Sequence, residues 1–396
     1  MMVDESPPVH PGGTAETPTH ILLVGPLPPP LTGTPISFEI FAEESIRLVG
    51  EDVVSIVDTS PKRLKQQLTT VTNLFRLSNL RQALRVIVGV ARNLRQADVM
   101  IVFASNGHLV SLGPVLLLLA RISRTPCHLR VFGGSLDRFI ESKPPAVRRL
   151  ADATLKRYAG VIVQTELLRA HFAEQLGTDR VHLVPGYRKP LTEEADPAPV
   201  HRTGSSDVLR LVFVGIIKET KGVLVLLEAL SQLQAAGTKV ACDFFGTLHE
   251  PVRATFFEEV DHLERVSYRG ELDWRDVVST MATYDALVLP TFFDGEGHPG
   301  VIIEAKLAGI AVVSTDHRSI PELVTDGFDG LLVTPGSSEA LATALVRLLG
   351  DPALVDSLGR ASARSGLTHT SEAGARQILG AVGVATASTP SRRPTS

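Results

Sequence analysis

Cysteine is scarce: the 396-residue sequence has two, Cys127 and Cys242. They lie far apart in the chain and match no spacing typical of metal ligands. The sequence therefore gives no basis for a disulfide framework or a zinc site, and the low cysteine content is typical of a protein of the reducing cytoplasm.

Long hydrophobic runs are missing as well. The longest, LVSLGPVLLLLARI, is interrupted by Gly113 and Pro114 and is shorter than the ~20 residues that a membrane-spanning helix needs. Residues 1–18 are acidic and Pro-rich and contain no apolar segment like that of a signal peptide. We expect a disordered tail over 1–18 and no transmembrane segment. With 44% hydrophobic residues in 396, two globular domains are expected.

Acidic residues are few in the first half of the chain. Between residues 60 and 190 there are 21 lysines and arginines but 7 aspartates and glutamates, although the whole chain has a net charge of −4. Residues 62–95 carry eight basic side chains and no acidic one. Two interpretations stay open: exposed helices whose arginine stems cover the core, or a surface attracted to anionic lipid. Nucleic-acid binding is less favoured because the segment has one aromatic residue, Phe75.

Short apolar runs alternate with helical patterns and predict an α/β protein with two Rossmann-like domains, each built on a parallel sheet. The first six runs are HILLVGP, DVVSIVD, DVMIVFAS, CHLRVFGG, GVIVQT and VHLVPG. The next six are LRLVFVG, VACDFFG, RVSYRG, DALVLP, AVVSTD and GLLVTP. Ligands of such sheets bind beyond the carboxyl ends of the strands, so the predicted site is an interdomain cleft between facing sheets.

A polar, Pro-rich stretch separates the two series of strands and sets the predicted boundaries. The predicted segments are a tail (1–18), an N-terminal domain (19–188), a linker (189–207), a C-terminal domain (208–365), a C-terminal helix that could return to the N-terminal domain (366–384) and a second tail (385–396).

The loop after the first predicted strand, in ILLVGPLPPPLTGTPIS, contains Gly25 and Gly33. Their spacing is not that of a dinucleotide fingerprint, and the prolines between them lack the amides that would hold a pyrophosphate, so no nicotinamide cofactor is predicted. Gly33 lies between two threonines at the start of a predicted helix, where free N–H groups favour an anion. An ordinary strand–helix turn has the same pattern.

The loop after the first strand of the second series, FVGIIKETKG, carries Lys218 and Lys221. Two cationic side chains at the end of a strand suit a phosphate group. Solvated loop lysines are the commoner alternative.

A third loop, GEGHPGVIIEAKLAG, carries two carboxylates, Glu296 and Glu304. Pro299 fits the first turn of a helix that Gly309 ends. Backbone amides over 297–301 would then face the cleft and suit a diphosphate. Carboxylates beside a phosphate are repelled by it, so they make better sense as acceptors for sugar hydroxyls. The alternative is an exposed loop charge and a surface or helix-terminal residue.

Over residues 19–385 these motifs resemble the retaining GT-B glycosyltransferases of family 4, also called glycosyl transferases group 1. The resemblance depends on EGHPGVIIE, with its glutamates separated by seven residues, on FVGIIKETKG, and on VVSTDHRSIPELVTDGFDGLLV, with YDALVLPT before the first. It implies the GT-B fold, with acceptors bound on the side of the N-terminal domain and a nucleotide sugar bound by the C-terminal domain.

The resemblance also implies roles for individual residues. Glu304 binds the ribose of the donor, Glu296 contacts the donor sugar, and Lys221 binds the diphosphate, which Gly33 also faces. The segment YRGELDW lies near the base. The predicted donor-binding residues are Gly33, Lys218, Lys221, Glu271, Leu272, Glu296, Gly297, His298, Pro299, Gly300, Val301 and Glu304.

Three departures from the family pattern concern this same cleft. Ile216 stands where the family usually has arginine, and Lys218 is a poorer substitute because it has no bidentate guanidinium. Phe132 replaces a common histidine. The common PNGVD stretch reads VPGYRKP, which brings Tyr187 and Arg188 to the hinge. The departures indicate a subgroup with its own acceptor chemistry or a degenerate enzyme.

The resulting hypothesis is a retaining, metal-independent hexosyltransferase with no cofactor. Breaking the sugar–phosphate bond places negative charge on a nucleoside diphosphate, and stabilising that charge is the main task of the protein. Glu296 and Lys221 are the predicted catalytic residues. His108 and Asp137 are candidates on the acceptor side, although satisfied or solvent-facing polar residues would look the same.

The predicted partners are a nucleotide sugar and a saccharide or lipid-linked saccharide acceptor, in polysaccharide or glycoconjugate assembly at the cytoplasmic side of a membrane. The basic N-terminal domain suggests peripheral contact with anionic lipid, and no nucleic acid is predicted. A nucleotide-sugar epimerase of the same fold and a non-catalytic nucleotide-sugar-binding protein are the alternatives.

Overall fold

The computed structural model describes residues 20–29, 32–60, 77–191 and 208–386. The predicted tail at 1–18, most of the predicted linker, the last ten residues and the basic residues 61–76 lie outside these ranges.

The first half of the described chain alternates strands and helices. Its elements are β1 (Ile21–Gly25), α1 (Gly33–Val49), β2 (Val54–Asp58), α2 (Leu77–Asn93), β3 (Val99–Ala104), α3 (Gly113–Ser123), β4 (Cys127–Val131), α4 (Leu136–Glu141), α5 (Pro145–Leu155), β5 (Gly160–Val163), α6 (Glu166–Leu176) and β6 (Val181–Leu183). The strands form one parallel sheet in the order β2-β1-β3-β4-β5-β6. Ile21 of β1 pairs with Val54 of β2 and with Val99 of β3, which defines the register of these three neighbouring strands.

The second half repeats this plan. Its elements are β7 (Leu209–Val214), α7 (Val223–Ala235), β8 (Val240–Phe245), α8 (Glu250–Asp261), β9 (Val266–Gly270), α9 (Val277–Met281), β10 (Ala286–Leu289), α10 (Gly300–Leu307), β11 (Ala311–Thr315), β12 (Leu331–Val333), α11 (Ser338–Gly350), α12 (Pro352–Gly366) and α13 (Ser371–Ala381). Its sheet is also parallel, in the order β12-β11-β10-β7-β8-β9. All twelve predicted strands are confirmed.

Both faces of each sheet are covered, which explains why the strands read as nearly continuous apolar runs. In the first half, Val86 of α2 and Leu116 of α3 belong to the core on one face, and Phe38 and Phe41 of α1 belong to the core on the other. Phe41 stacks on Phe103 of β3 with ring centroids 4.9 Å apart.

The helix α13 packs against α1 rather than against the second sheet. Ile378 and Leu379 are fully buried in the same core as Phe38, and each such side chain contributes about 1.5–3 kcal/mol through burial. This helix is thereby attached to the first half. No helix in the described ranges is long and apolar enough to cross a bilayer.

Candidate active site

A cavity of about 330 Å³ lies between the two halves, at the carboxyl ends of the parallel strands. Its size is within the range of small-molecule sites. Eleven of the twelve predicted donor-binding residues line it. They are Gly33, Lys221, Glu271, Leu272, Glu296, Gly297, His298, Pro299, Gly300, Val301 and Glu304.

The loop between β10 and α10 forms one wall of this cavity. The helix begins at Gly300 with Pro299 as its N-cap and ends at Leu307. Pro299 was predicted inside the first turn but precedes it, because its ψ of 119° is extended. The predicted end at Gly309 is confirmed: Gly309 follows the C-cap Ala308 with a φ of 72°, and its amide donates to the Lys306 carbonyl at 3.0 Å. Residues 297–301 line the cavity, and the first turn of a helix has amides without helix partners. Their contact with a diphosphate stays a prediction.

Glu296 is buried on this loop, with 6% of its surface exposed. Its Oε1 accepts hydrogen bonds from Lys221 Nζ and, at 3.0 Å, from Thr291 Oγ1. Lys221 comes from the short turn after β7. The cation and the hydroxyl compensate for burying a carboxylate, which would be costly if it were unpaired. The prediction of an exposed loop charge is excluded for Glu296.

Glu304 lies one turn into α10 and is equally buried. Its Oε1 accepts a 2.7 Å hydrogen bond from Arg188 Nε, an ion pair in which both side chains are about nine-tenths covered. Arg188 Nη1 donates to Ser37 Oγ at 2.9 Å and to the Tyr187 carbonyl at 2.8 Å. Sequence reasoning missed this partner. The sequence feature that could have identified Arg188 was the unusual VPGYRKP stretch, in which Arg188 departs from the family pattern.

Lys218 does not line the cavity, unlike Lys221. Its ammonium lies 3.6 Å from the centroid of the Phe293 ring, and that of Lys221 lies 5.6 Å from the same centroid. Burial, and next the charge of Lys221, lower the pKa of Lys218. An aromatic face therefore holds Lys218, and it is Ile216 that faces the cavity here.

The two acceptor-side candidates lie outside the lining of the cavity. His108 Nε2 is 2.9 Å from the Tyr158 hydroxyl, and burial lowers the pKa of His108 to about 4. Asp137 Oδ1 lies 3.8 Å from Arg318 Nη2. The structure does not bring either side chain together with Glu296, and their acceptor roles stay predictions.

Backbone from the two halves meets at the mouth of the site. The Gly134 amide donates to the Gly295 carbonyl at 3.2 Å. A Cβ at residue 134 would lie 1.8 Å from the Glu296 carbonyl oxygen, so the close approach requires glycine there.

A second contact between the halves runs through His298. Its Nδ1 accepts a 3.2 Å hydrogen bond from the Gly186 amide, and its Nε2 lies 3.3 Å from Glu322 Oε2. The Glu322 carboxylate also accepts from the Glu166 amide at 2.7 Å, at the start of α6. A carboxylate from the second half thus stabilises the N-terminus of a helix of the first half.

Residues 209–351 match the family described as Glycosyl transferases group 1, and this segment contains both glutamates and both loop lysines. The match is thus confined to the second half of the described chain. The 2-deoxystreptamine glucosyltransferase of Streptomyces kanamyceticus is 29% identical over 232 residues, 56% of this chain and 58% of that protein. The phosphatidyl-myo-inositol mannosyltransferase of Mycobacterium leprae is 30% identical over 202 residues, 50% of this chain and 52% of that protein. The chain thus spans less than two thirds of these curated relatives.

Solved structures extend the likeness to the whole fold. Anabaena Alr3699/HepE, in complex with UDP-glucose, has a TM-score of 0.67 at 17% identity over 92% of this chain and 99% of that chain. The apo form of the lipopolysaccharide outer core galactosyltransferase WaaB has a TM-score of 0.62 at 16% identity over 92% of this chain and 99% of that chain. The predicted GT-B fold is confirmed.

Proposed function

We propose that this protein transfers a hexose from a nucleoside-diphosphate sugar to a saccharide or lipid-linked saccharide, with retention of configuration and without a metal ion. The observation that carries the proposal is the presence of two buried carboxylate–cation pairs, Glu296 with Lys221 and Glu304 with Arg188, on the wall of one cavity. The match of residues 209–351 to the group 1 family and the likeness to the Anabaena protein, which was solved in complex with UDP-glucose, support a nucleotide-sugar donor.

In this proposal, different parts of the donor bind to different groups of the cavity. Glu304, with an oxygen still able to accept, suits the ribose hydroxyls, and Glu296 suits the hydroxyls of the sugar. The diphosphate then lies at the start of α10, where free amides and the helix dipole stabilise the negative charge that grows as the sugar–phosphate bond breaks. Lys221 adds a formal positive charge at the same place.

Retention follows if the acceptor attacks from the face that the diphosphate leaves. In this scheme the acceptor hydroxyl gives its proton to an oxygen of the departing diphosphate, so the protein supplies neither a nucleophile nor a general base. Glu296 orients the sugar and stabilises its developing positive charge.

The donor is tested by thermal-shift and titration experiments in EDTA, with uridine-, guanosine- and adenosine-diphosphate sugars and the free diphosphates. We expect saturable stabilisation by one base class, followed by transfer to an acceptor from membrane extracts and a product whose anomeric configuration, read by NMR, matches the donor. Stabilisation by none of them would contradict the proposal.

The same assays separate the alternatives. An epimerase would release or isomerise the donor without any acceptor, whereas a transferase releases nucleoside diphosphate in proportion to the product. A binding protein would be stabilised by the donor yet give neither hydrolysis nor transfer.

We also propose that the acceptor is met at an anionic membrane surface, which the helices α2 and α3 contact. Both helices bury one face in the same core, through Val86 and Leu116 among others, so their outer faces point away from the same side of the sheet. These outer faces expose six large apolar side chains, Leu80, Leu84, Val88, Val115, Leu118 and Ile122. Exposed arginines accompany them at positions 81, 92, 95, 121 and 124.

Exposed apolar side chains accompanied by exposed arginines suit the boundary between lipid headgroups and acyl chains, where each basic residue contributes about 1 kcal/mol. We expect the protein to float with vesicles that contain phosphatidylglycerol and not with neutral vesicles. The substitutions Leu84→Glu and Leu118→Glu together should abolish flotation, whereas the matched control Phe328→Glu, at an exposed apolar residue of the second half, should not. If the wild-type protein self-associates in sedimentation experiments and the double variant loses this self-association rather than lipid binding, a second copy of the chain covers this face.

A further inference from the structure

Arg188 is the least expected residue of the cavity. It follows β6, and 7% of its surface is exposed. Nε and Nη1 of its guanidinium are occupied by Glu304, Ser37 and the Tyr187 carbonyl. The described residues provide no acceptor for the remaining nitrogen, Nη2. Nη2 keeps some exposed surface and Arg188 lines the cavity, so its two N–H donors are open to an acceptor from outside the protein.

The position of Nη2 identifies what that acceptor is. A Cβ at residue 300 would lie 1.7 Å from Nη2, so the guanidinium rests directly on Gly300, the first residue of α10. Only glycine permits this approach. Nη2 therefore lies beside the first turn of α10, where amides without helix partners favour an anion, and an anion is the ligand that both kinds of donor share.

The charges around the cavity lead to the same ligand. Among the described lining residues, Lys221 and Arg188 are the only lysine and arginine, and Lys221 is already paired with Glu296. Ile216 stands where the family has its arginine, and Lys218 lies against a phenyl ring outside the lining. Arg188 is thus the one guanidinium of the described lining, and it adds a second cation beside Lys221.

We propose that Arg188 binds the diphosphate of the donor through Nη2 and so supplies, from the end of the first half, the guanidinium that Ile216 does not. The proposal rests on the function proposed above. Nε keeps its bond to Glu304, so one guanidinium links the carboxylate that holds the ribose to the phosphate group beside it. The planar fork of arginine can serve both partners at once, which a lysine cannot do.

The experiment compares the affinities of the nucleoside, the monophosphate and the diphosphate of the base class that stabilises the wild-type protein. Arg188→Gln should weaken diphosphate binding about 10- to 100-fold, the effect of losing a hydrogen bond to a charged group, and should change nucleoside binding less than twofold. Arg188→Lys should recover part of the loss. Glu304→Gln is the matched comparison and should weaken all three ligands by a similar factor.

A residue that only holds Glu304 in place would give a different result. Arg188→Gln would then weaken the nucleoside and the diphosphate equally, and the proposal would be overturned. The double variant Arg188→Gln, Ile216→Arg adds an independent measurement, since an arginine at the family position should restore diphosphate affinity without restoring the bond to Glu304. No gain from Ile216→Arg, with the protein folded by circular dichroism, would also count against it. If the wild-type protein binds no nucleotide, the proposed function fails and this inference is not the cause.

Discussion

The neighbourhoods of Glu296 and Glu304 differ in the origin of their cations. Glu296 takes its partners, Lys221 and Thr291, from loops of the second half. Glu304 takes Arg188 from the end of the first half, and Arg188 is in turn fixed by Ser37 of α1. One carboxylate is therefore assembled within a single α/β unit, and the other only where the two units meet. Under the proposed function, Glu296, which contacts the sugar, is positioned by the second half alone. Glu304, which binds the ribose, also links the two halves.

The largest expected effect concerns the local pair. Glu296→Gln keeps the size and one hydrogen-bond acceptor but removes the charge that, in the proposed function, stabilises the developing positive centre. We expect turnover to fall by about 100-fold or more, as for the loss of a major electrostatic group in an active site, while donor affinity changes less than fivefold. Steady-state kinetics and titration measure the two effects. Wild-type turnover in this variant would refute the assigned role.

The next effect ranks the two lysines of the loop after β7. Lys221→Ala removes a cation that lines the cavity, whereas Lys218→Ala removes one that lies on Phe293. We expect Lys221→Ala to reduce turnover by about tenfold or more and Lys218→Ala by less than threefold, in keeping with the loss of one charge-assisted contact. The reverse order, measured under the same conditions, would mean that Lys218 moves to the donor.

A smaller effect on activity is expected at Glu304, which pairs with a residue of the other half. Glu304→Gln should weaken donor binding about tenfold, the value of one or two hydrogen bonds, with less than a threefold change in turnover at saturating donor. It should also lower the midpoint of denaturant unfolding, because Arg188 then stays buried without its counter-charge. Glu296→Gln and Glu304→Gln with identical kinetic profiles would erase the distinction between the two neighbourhoods.

The smallest expected effect is a pH dependence of stability that arises from His369, which contacts Arg188. The His369 carbonyl accepts the Arg188 amide at 2.9 Å, and the His369 ring bonds to the Gly186 carbonyl. Burial lowers the pKa of His369 to about 4 from 6.5. The unfolded chain thus takes up a proton below pH 6.5 that the folded chain refuses until about pH 4, so stability falls as the pH falls through this window.

The corresponding slope is at most about 1.4 kcal/mol per pH unit for one group. In His369→Asn the free energy of unfolding, measured with denaturant between pH 7 and 4.5, should fall less steeply than in the wild-type protein. Equal slopes would show that His369 does not contribute.

The features that could be predicted from the sequence are those set by residues close together in the chain. Each of the twelve strands is a short apolar run bounded by turn residues, and the loop around Glu296 contains its own turn and helix start, so both were readable. The pair of Glu304 with Arg188 joins positions 116 residues apart, and no periodicity specifies such a contact. Lys218 shows the same limit, since its distance from the cavity depends on Phe293, which lies far along the chain.

The contact of Gly134 with the Glu296 carbonyl has a consequence for the rate of the catalytic cycle. The backbone of one half meets the backbone of the other there through one amide hydrogen bond at 3.2 Å, and Arg318 Nη2 of the second half donates to the Gly134 carbonyl. A methyl group at position 134 would act as a wedge against the 1.8 Å approach. Gly134→Ala would therefore keep the two halves apart. Under the proposed function, nucleotide would enter and leave quickly, and turnover would be limited by closure of the two halves rather than by bond cleavage or product release.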